Sequence, residues 1–227
     1  MNWNRKTYLQ GKLIYRHSPF TKLKYTLIND DVSYQDYNRM YRYNPDGNLK
    51  RYRYGLTQLL QLNHTFSTKT FLNAGITHFK KSYQHRTYDR DKWDQYVHPK
   101  LLNSQPYSFL TGGTDLSVFS RETSTSTFKA DLTSQWNSKN KIKLGVEFRQ
   151  HQLNFNDYSL RPPDEKASFN ELSDDPFLGN PQRFPDSTIY SSTYNFKPIE
   201  FSAYVQDKIE LNELIINLGV RLDYFDP

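Results

Sequence analysis

Residues 201–227 read FSAYVQDKIELNELIINLGVRLDYFDP, and the alternation within this stretch decides the fold class. From Leu214 to Tyr224 every even position is apolar, whereas the odd positions are mostly polar or glycine. This period of two is typical of a β-strand with two different faces, because a helix would spread the apolar residues around its circumference. Residues 141–149, KIKLGVEFR, alternate in the same way. Both stretches therefore predict two-faced strands.

Six further segments show the same alternation and predict further strands, giving eight in all. They are residues 7–16, 22–29, 51–64, 70–80, 123–136 and 199–211. Most are long compared with the usual 5–6 residues of a soluble strand. The sequence therefore predicts an all-β protein with unusually long strands.

The hairpin at the C-terminal end predicts its own register. With Asn212-Glu213 as a two-residue turn, apolar residues meet apolar residues and polar residues meet polar ones. The predicted pairs include Val205 with Val220, Phe201 with Tyr224 and Tyr204 with Arg221. A slip of one residue would turn every side chain to the wrong face. The other hairpins predict Leu132 opposite Val146 and Leu60 opposite Ala74. Asp207 is an exception, because it falls on the apolar face opposite Leu218.

The connections between these strands alternate in length. Short turns are expected near residues 17–21, 65–69, 137–140 and 212–213, and long polar connections near 30–50, 81–122 and 157–198. Loops of more than about 12–15 residues are uncommon in compact domains, but transmembrane barrels have short turns on one side and long loops on the other. We therefore expect an antiparallel up-and-down transmembrane β-barrel segment of about eight strands. Aromatic girdles are expected at both rims; the candidates are Tyr52, Tyr54, Phe201 and Tyr224 at the long-loop end and Trp136 and Phe71 at the other.

Composition excludes several other classes of protein. The chain of 227 residues has a net charge of +6, and its aromatic content of 16% is too high for a disordered chain. It contains no cysteine, so disulfide frameworks, thiolate metal sites and cysteine nucleophiles are absent. The mean hydropathy is −0.87, and no window is apolar enough for a transmembrane helix. A barrel with a polar interior accommodates this hydropathy.

The C-terminal stretch resembles the barrel of bacterial TonB-dependent outer-membrane receptors. In that family an aromatic-Val-Gln-Asp strand is followed by a short turn and a Gly-x-Arg-x-Asp-Tyr strand. The residues that match this pattern are Tyr204, Val205, Gln206, Asp207, Gly219, Arg221, Asp223 and Tyr224. The hairpin NSKNKIKLGVEFRQHQL at residues 137–153 also resembles these barrels. The matching portion covers roughly residues 123–227.

The resemblance implies a 22-stranded barrel with a globular plug, located in the cell outer membrane. Such receptors import chelated iron, cobalamin, glycans or peptides with energy from an inner-membrane complex. This chain shows eight predicted strands, no plug, no TonB-contacting segment and no signal peptide. We therefore expect residues 1–227 to be a partial outer-membrane β-barrel domain from a longer protein. Expected partners are outer-membrane lipid, a small ligand and, through an N-terminal part outside this chain, a TonB-type energising complex.

Four residues are candidate ligand contacts in the lumen or at its rim. Arg51 and Arg53 alternate with tyrosines in RYRY, so the two residue types lie on opposite strand faces. Their guanidinium groups suit an anionic ligand or lipid phosphates. Tyr204 and Arg221 are expected to share an inner face, as are Glu147 and Arg149. The opposite placement of Tyr and Arg argues against stacked nucleic acid, so no nucleic-acid partner is expected.

Catalytic and metal-binding signals are weak. No G-x-S-x-G, HExxH or P-loop motif occurs, so no enzyme activity, catalytic residue or cofactor is expected. One loop carries His85, Asp89, Asp91, Asp94 and His98, and another carries Asp174, Asp175 and Asp186. The first lacks the glycine and spacing of an EF-hand and has Arg and Lys neighbours, so we expect solvated loops and no metal site.

Two alternatives to a receptor fragment stay open on the sequence alone. One is a complete small eight-stranded outer-membrane barrel that acts as an adhesin or structural protein. The other is a secreted soluble β-sandwich that binds glycans through its tyrosines. The large loops count against the first alternative, and the long alternating strands count against the second.

Overall fold

The computed structural model of the chain describes residues 2–97, 109–161 and 181–227. Nearly all of its regular structure is β-strand. The strands are β1 Trp3–Ser18, β2 Thr21–Gln35, β3 Lys50–Ser67, β4 Thr70–Arg86, β5 Ser117–Gln135, β6 Asn140–Arg161, β7 Gln182–Arg183, β8 Ser191–Phe196, β9 Ile199–Glu210 and β10 Ile215–Asp226. Three short 3-10 turns lie at Arg39–Tyr41, Pro45–Gly47 and Arg90–Gln95. No helix in the described ranges is long and apolar enough to cross a membrane.

The long strands form one antiparallel sheet in the order β1-β2-β3-β4-β5-β6-β9-β10. This confirms the predicted up-and-down arrangement of eight long strands. The two short strands β7 and β8 both pair with β6 and were not predicted. A single sheet is not a sandwich, so the soluble alternative is wrong. Within the part of the chain that the structure describes, β1 and β10 do not pair, so the sheet is not a closed eight-stranded barrel.

The strands extend well beyond the predicted segments at the long-loop end. β4 runs to Arg86, and β5 begins at Ser117 although residues 81–122 were predicted to be a loop. β6, with 22 residues, is the longest strand. A strand that crosses a bilayer needs only about 9–11 residues. The sheet is therefore much taller than a membrane requires, and its upper part projects towards the long loops.

The register of the last hairpin is confirmed, whereas two other predicted registers are wrong. Val205 lies opposite Val220 and Tyr204 opposite Arg221. Leu132, however, pairs with Leu144, and Leu60 pairs with Ile76. Both errors are of two residues, which leaves every side chain on its expected face.

The turns explain both shifts of register. In the β5–β6 turn the Asn137 side chain accepts the N–H groups of Lys139 and Asn140, both at 2.8 Å, and tightens the loop. In the β3–β4 hairpin a β-bulge between Thr65 and Ser67 moves the pairing. The alternation of apolar and polar residues in the sequence does not reveal either the tightened turn or the bulge.

The two faces of the sheet differ in chemistry as the alternation predicts. We call one the apolar face; at the short-turn half of the sheet its side chains form a continuous band. Its members include Leu60, Leu62, Ala74, Ile76, Phe128, Ala130, Leu144, Val146, Phe148, Val205, Leu218, Val220 and Leu222. Except for Leu62, Ala74 and Ala130, these side chains are exposed; Val220, for example, is 73% exposed. The buried hydrophobic residues of the described chain lie near the long-loop end instead, so nothing in those ranges covers the band.

Aromatic residues border this band at both ends. Phe201 and Tyr224 lie opposite each other on the apolar face, and Trp136 is 74% exposed in the β5–β6 turn. Phe71 instead pairs with Thr133 on the other face. Tyr52 lies nearer the long-loop end, where the guanidinium carbon of Arg86 is 4.6 Å from the centre of the Tyr52 ring. The girdle is thus present at both rims, but Phe71 does not contribute to it on the apolar side.

The opposite, polar face carries a network of ion pairs across β5, β6 and β9. The ammonium group of Lys129 lies 3.9 Å from Asp131 and 3.7 Å from Glu147. Arg149 contacts Glu147 and, at 3.2 Å, Glu200. This arrangement confirms that Glu147 and Arg149 share a face.

Tyr204 links three strands of the polar face. Its ring lies across Gly145 of β6, and its hydroxyl donates a 2.5 Å hydrogen bond to Asp131 of β5. A Cβ atom at Gly145 would overlap the Tyr204 ring and come within 2.7 Å of the Asp131 carboxylate. Only glycine therefore allows the tyrosine to cross β6 here.

We expect Gly145→Val to displace the Tyr204 ring and break its hydrogen bond with Asp131. The loss, with the added crowding, should lower the free energy of unfolding by about 1–3 kcal/mol. The measurement is urea-induced unfolding of the protein in detergent micelles, followed by tryptophan fluorescence. Gly11→Ala is the matched control, because no atom lies within 4 Å of a Cβ there. Equal midpoints for the two variants would contradict the assigned role of Gly145.

Candidate functional site

The long loops fold back on one another above the strands. The buried amide of Gln35, at the end of β2, donates to the carbonyl oxygens of Pro45 at 2.9 Å and Asn48 at 3.1 Å. The Asn44 amide donates to Gly113 at 2.6 Å, and Leu110 N–H donates to Met40 O at 2.8 Å. Loop 36–49 is therefore bound both to its own strand and to residues 109–116.

A small apolar cluster stabilises the other side of this loop region. Tyr96, Val118 and Leu160 are buried together, and Tyr88 and Trp93 pack against them. Burial raises the pKa of Tyr96 to about 12. Burial, with a smaller contribution from Asp115, likewise raises the pKa of Tyr41 to about 12. Both phenols are neutral at physiological pH, so the loop core carries no charge from them.

Below these loops, a row of rings crosses the polar face. We call it the aromatic row; it consists of Tyr83, His85, Phe119, Phe155, Tyr194 and Phe196 from β4, β5, β6 and β8. Neighbouring centroids lie 4.8–5.8 Å apart. Spacings of this kind are typical of stacked and edge-to-face aromatic pairs. The row is therefore a continuous aromatic surface on a face that is otherwise polar.

Three cations border the aromatic row, and we call them the cation triad: Arg53 of β3, Lys81 of β4 and Arg121 of β5. Tyr83 lies between Arg53 and Arg121 in the ladder, and Phe155 lies opposite Arg121. All three cations are exposed, and none forms an ion pair with any residue in the described ranges. Arg53 lies 5.6 Å from the ring of Tyr34. Asp30 lines the same pocket as Arg53 and Lys81, but its ion-pair contact is with Lys6, at 3.9 Å. The triad therefore presents positive charge without an ion-pair partner beside an aromatic surface.

The four predicted ligand contacts do not come together in one place. Arg53 belongs to the cation triad, and Arg51 lies next to the aromatic row but is paired with Asp36 at 3.2 Å. Tyr204 and Arg221 lie in the shorter hairpin β9–β10. Tyr204 is bonded to Asp131, and Arg221 makes a bidentate contact with Asp223 at 2.8 and 3.0 Å. Their polar groups are thus already occupied within the sheet.

The remaining motif residues have local roles in this hairpin. Gln206 pairs with Gly219, and Tyr224 pairs with Phe201 at the upper edge of the apolar band. Asp207 lies on the apolar face between Ile142 and Leu218, as predicted. Its buried Oδ1 atom has no hydrogen-bond partner in the described residues, and nothing in the structure explains this carboxylate.

The loop carboxylates are partly engaged by cations. Asp89 accepts from Arg86 at 2.6 Å, and Asp186 contacts Arg183 and Ser191. His85 is on β4 and not in a loop, contrary to the prediction. His98, Asp174 and Asp175 lie outside the described residues. In the ranges that the structure describes, no three His, Asp or Glu side chains cluster as metal ligands would.

Lys81, Arg121 and most of the aromatic row were not predicted from the sequence as site residues. These residues fall in stretches that were predicted to be loops, because both faces of the strands are polar there. The odd positions Lys81, Tyr83 and His85 do alternate with shorter side chains. Without apolar contrast, this alternation did not indicate a strand.

Comparisons with known proteins identify the architecture. A family model described as TonB dependent receptor-like, beta-barrel matches residues 2–226. The outer membrane transporter YddB from Escherichia coli superimposes with a TM-score of 0.56 at 14% identity, covering 98% of this chain and 27% of that one. The siderophore receptor PiuA from Acinetobacter baumannii gives 0.54 at 12%, covering 98% and 35%. No curated protein sequence matches. The chain thus spans about a third or less of these structures, and identities this low show the fold alone.

We expect Gln35→Leu to release loop 36–49, because the variant loses both hydrogen bonds that hold the loop to β2. Trypsin should then cleave after the exposed Arg39 and Arg42 about tenfold faster, since cleavage follows local opening. The rates are measured by mass spectrometry of the folded protein. Gln152→Leu, at an exposed position of β6, is the matched control and should cleave at the native rate. Unchanged cleavage in Gln35→Leu would show that other contacts hold the loop.

Proposed function

The chain belongs to the TonB-dependent receptor-like β-barrel family and is an outer-membrane protein, and on this basis we propose that it takes up a ligand across the outer membrane. In this proposal residues 1–227 form one part of the barrel wall. The apolar band faces lipid, the polar face lines the lumen and the long loops are extracellular. When the rest of the barrel closes the sheet, every strand satisfies its backbone hydrogen bonds within hydrocarbon.

The cation triad beside the aromatic row is the observation that supports ligand capture. Cations without acidic partners cost free energy on a crowded face, and an anionic ligand would supply the missing counter-charge. Rings at the same site would bury the apolar part of that ligand. Arg53, Lys81 and Arg121 therefore suit the anionic groups of a ligand, and Phe155 and Tyr194 suit its apolar surface. A chelated metal, a glycan or a peptide could each carry such groups.

The energising step belongs to the full-length protein. The family is named for its dependence on TonB, and the two similar structures are about three times as long as this chain or longer. We propose that a TonB-type complex acts through parts of the protein outside this chain, and that the wall described here contributes binding and passage only.

The test is uptake by cells that produce the full-length protein. Labelled ferric chelates, cobalamin, oligosaccharides and peptides are offered with and without a working energising complex. We expect one of these classes to accumulate only when the complex works. The proposal would be contradicted if no class accumulated in an energy-dependent way.

The double variant Arg53→Gln/Arg121→Gln then tests the site with the transported probe. Loss of two charge-assisted contacts should raise the concentration for half-maximal uptake by about tenfold or more. Arg5→Gln, at an exposed arginine of β1 on the opposite face of the sheet from the triad, is the control. If the double variant takes up the probe as well as the native protein does, the cation triad is not part of the binding site.

A further inference from the structure

A second unneutralised cationic surface lies on the polar face, at the short-turn end of β1 and β2. We call it the basic patch: Lys12, Arg16, Lys22 and Lys24. Arg16 lies directly opposite Lys22, and Lys24 lies opposite Ile14. Like charges directly across a ladder are destabilising. The sheet therefore keeps these cations together at a cost.

The basic patch has no acidic neighbour among the described residues. The nearest acid along the same face of β2 is Asp30, and its carboxylate lies 3.9 Å from Lys6. On β3 the residues beside the patch are Asn63, opposite Lys22, and Gln61, opposite Lys24. No counter-charge comes from either side of β2.

The far side of the sheet shows that this is not the general rule on the polar face. Each of Lys129, Arg149, Lys208 and Arg221 has an acid within ion-pair distance. Lys208, for example, contacts Glu210 at 2.6 Å. Several cations of the β5–β10 wall are therefore paired with acids, although Lys141, which lies opposite Lys208, and Lys143 are not. None of the four cations of the basic patch has an acid within ion-pair distance among the described residues.

A groove of about 510 Å³ lies between these two walls, on β3 to β6. Short polar side chains and a glycine line much of it, among them Asn63, Asn73, Gly75, Thr77 and Thr127. Its β5–β6 side carries charges that are paired with one another: Lys129, Asp131, Glu147 and Arg149. Asn63 belongs to the groove and also borders the basic patch. Further up the same strands, Thr123 and Thr125 of β5 lead to Lys81 and Arg121 of the cation triad, with Phe79 as the large side chain along this track.

We propose that the cation triad, the groove and the basic patch form one track along the lumen wall for an anionic ligand. The ligand is attracted at the long-loop end by the triad, moves over short side chains and is attracted again at the short-turn end by the patch. This inference rests on the proposed transport function and adds the charge of the substrate and the strands along which it passes. Unpaired positive charge at each end of the track raises the local concentration of anions there.

Thiol labelling tests the track without knowledge of the ligand. This chain contains no cysteine, and any cysteine elsewhere in the full-length protein is first replaced by serine. The probes are an anionic reagent, sulfonatoethyl methanethiosulfonate, and a cationic one, trimethylammonioethyl methanethiosulfonate. Asn63→Cys reports on the patch in the full-length protein in detergent micelles. Thr127→Cys is the control, because it lies on the same face opposite Arg149, whose charge Glu147 and Glu200 neutralise. Each labelling rate is measured by mass spectrometry. It is then divided by the rate at which the same reagent reacts with a free thiol in solution, which corrects for the reactivity of the reagent itself.

We expect the ratio of anionic to cationic labelling to be about tenfold higher at Asn63→Cys than at Thr127→Cys. Adding Lys22→Gln and Lys24→Gln to Asn63→Cys should remove most of this difference, with an unchanged circular dichroism spectrum. Equal ratios at the two positions would overturn the anionic track and leave the transport function standing. If neither position reacted with either reagent, the polar face would not line a water-filled lumen, and the proposed function would be contradicted.

Discussion

Backbone hydrogen bonding between neighbouring strands is the constraint on which the whole structure depends. In hydrocarbon no water can satisfy an unpaired N–H or C=O group, so each strand must pair with the next along its full length. The eight long strands do so in sequence order. Once pairing is fixed, successive side chains must point to opposite faces. The two surfaces of the protein, one for lipid and one for water, follow from this single requirement.

The two faces then serve different purposes with different chemistry. The apolar band needs only size and hydrophobicity, so Leu, Val, Ile and Phe recur there without specific contacts. The polar face is specific: Tyr204 reaches Asp131 across Gly145, and ion pairs join β5 to β9. Beside these ion pairs, Arg53 and Lys22 are cations that the described sheet leaves without an acid within ion-pair distance. The candidate binding sites are therefore the parts of the polar face where cations have no acidic partner.

The sequence predicted most of the fold, because alternation is a local property that each strand carries by itself. It predicted the β9–β10 register, where Val205 meets Val220, but missed two registers by two residues. The side chain of Asn137 and a bulge near Thr65 set those registers, and neither changes the alternation. The candidate site was only partly predictable. Arg53 was identified, but Arg121 was missed, since a strand that is polar on both faces gives no contrast.

Both the fold and the proposed function require that the apolar band faces lipid. Spin labels on the band measure this exposure directly. Labels at Leu144 and Leu218 in the full-length protein, reconstituted into bilayers, should be relaxed strongly by oxygen and weakly by a water-soluble nickel chelate. Labels at Lys143 and Asn217, each one residue away, should show the reverse. If Leu144 and Leu218 instead reported water or a packed protein interior, this account of the protein would be contradicted.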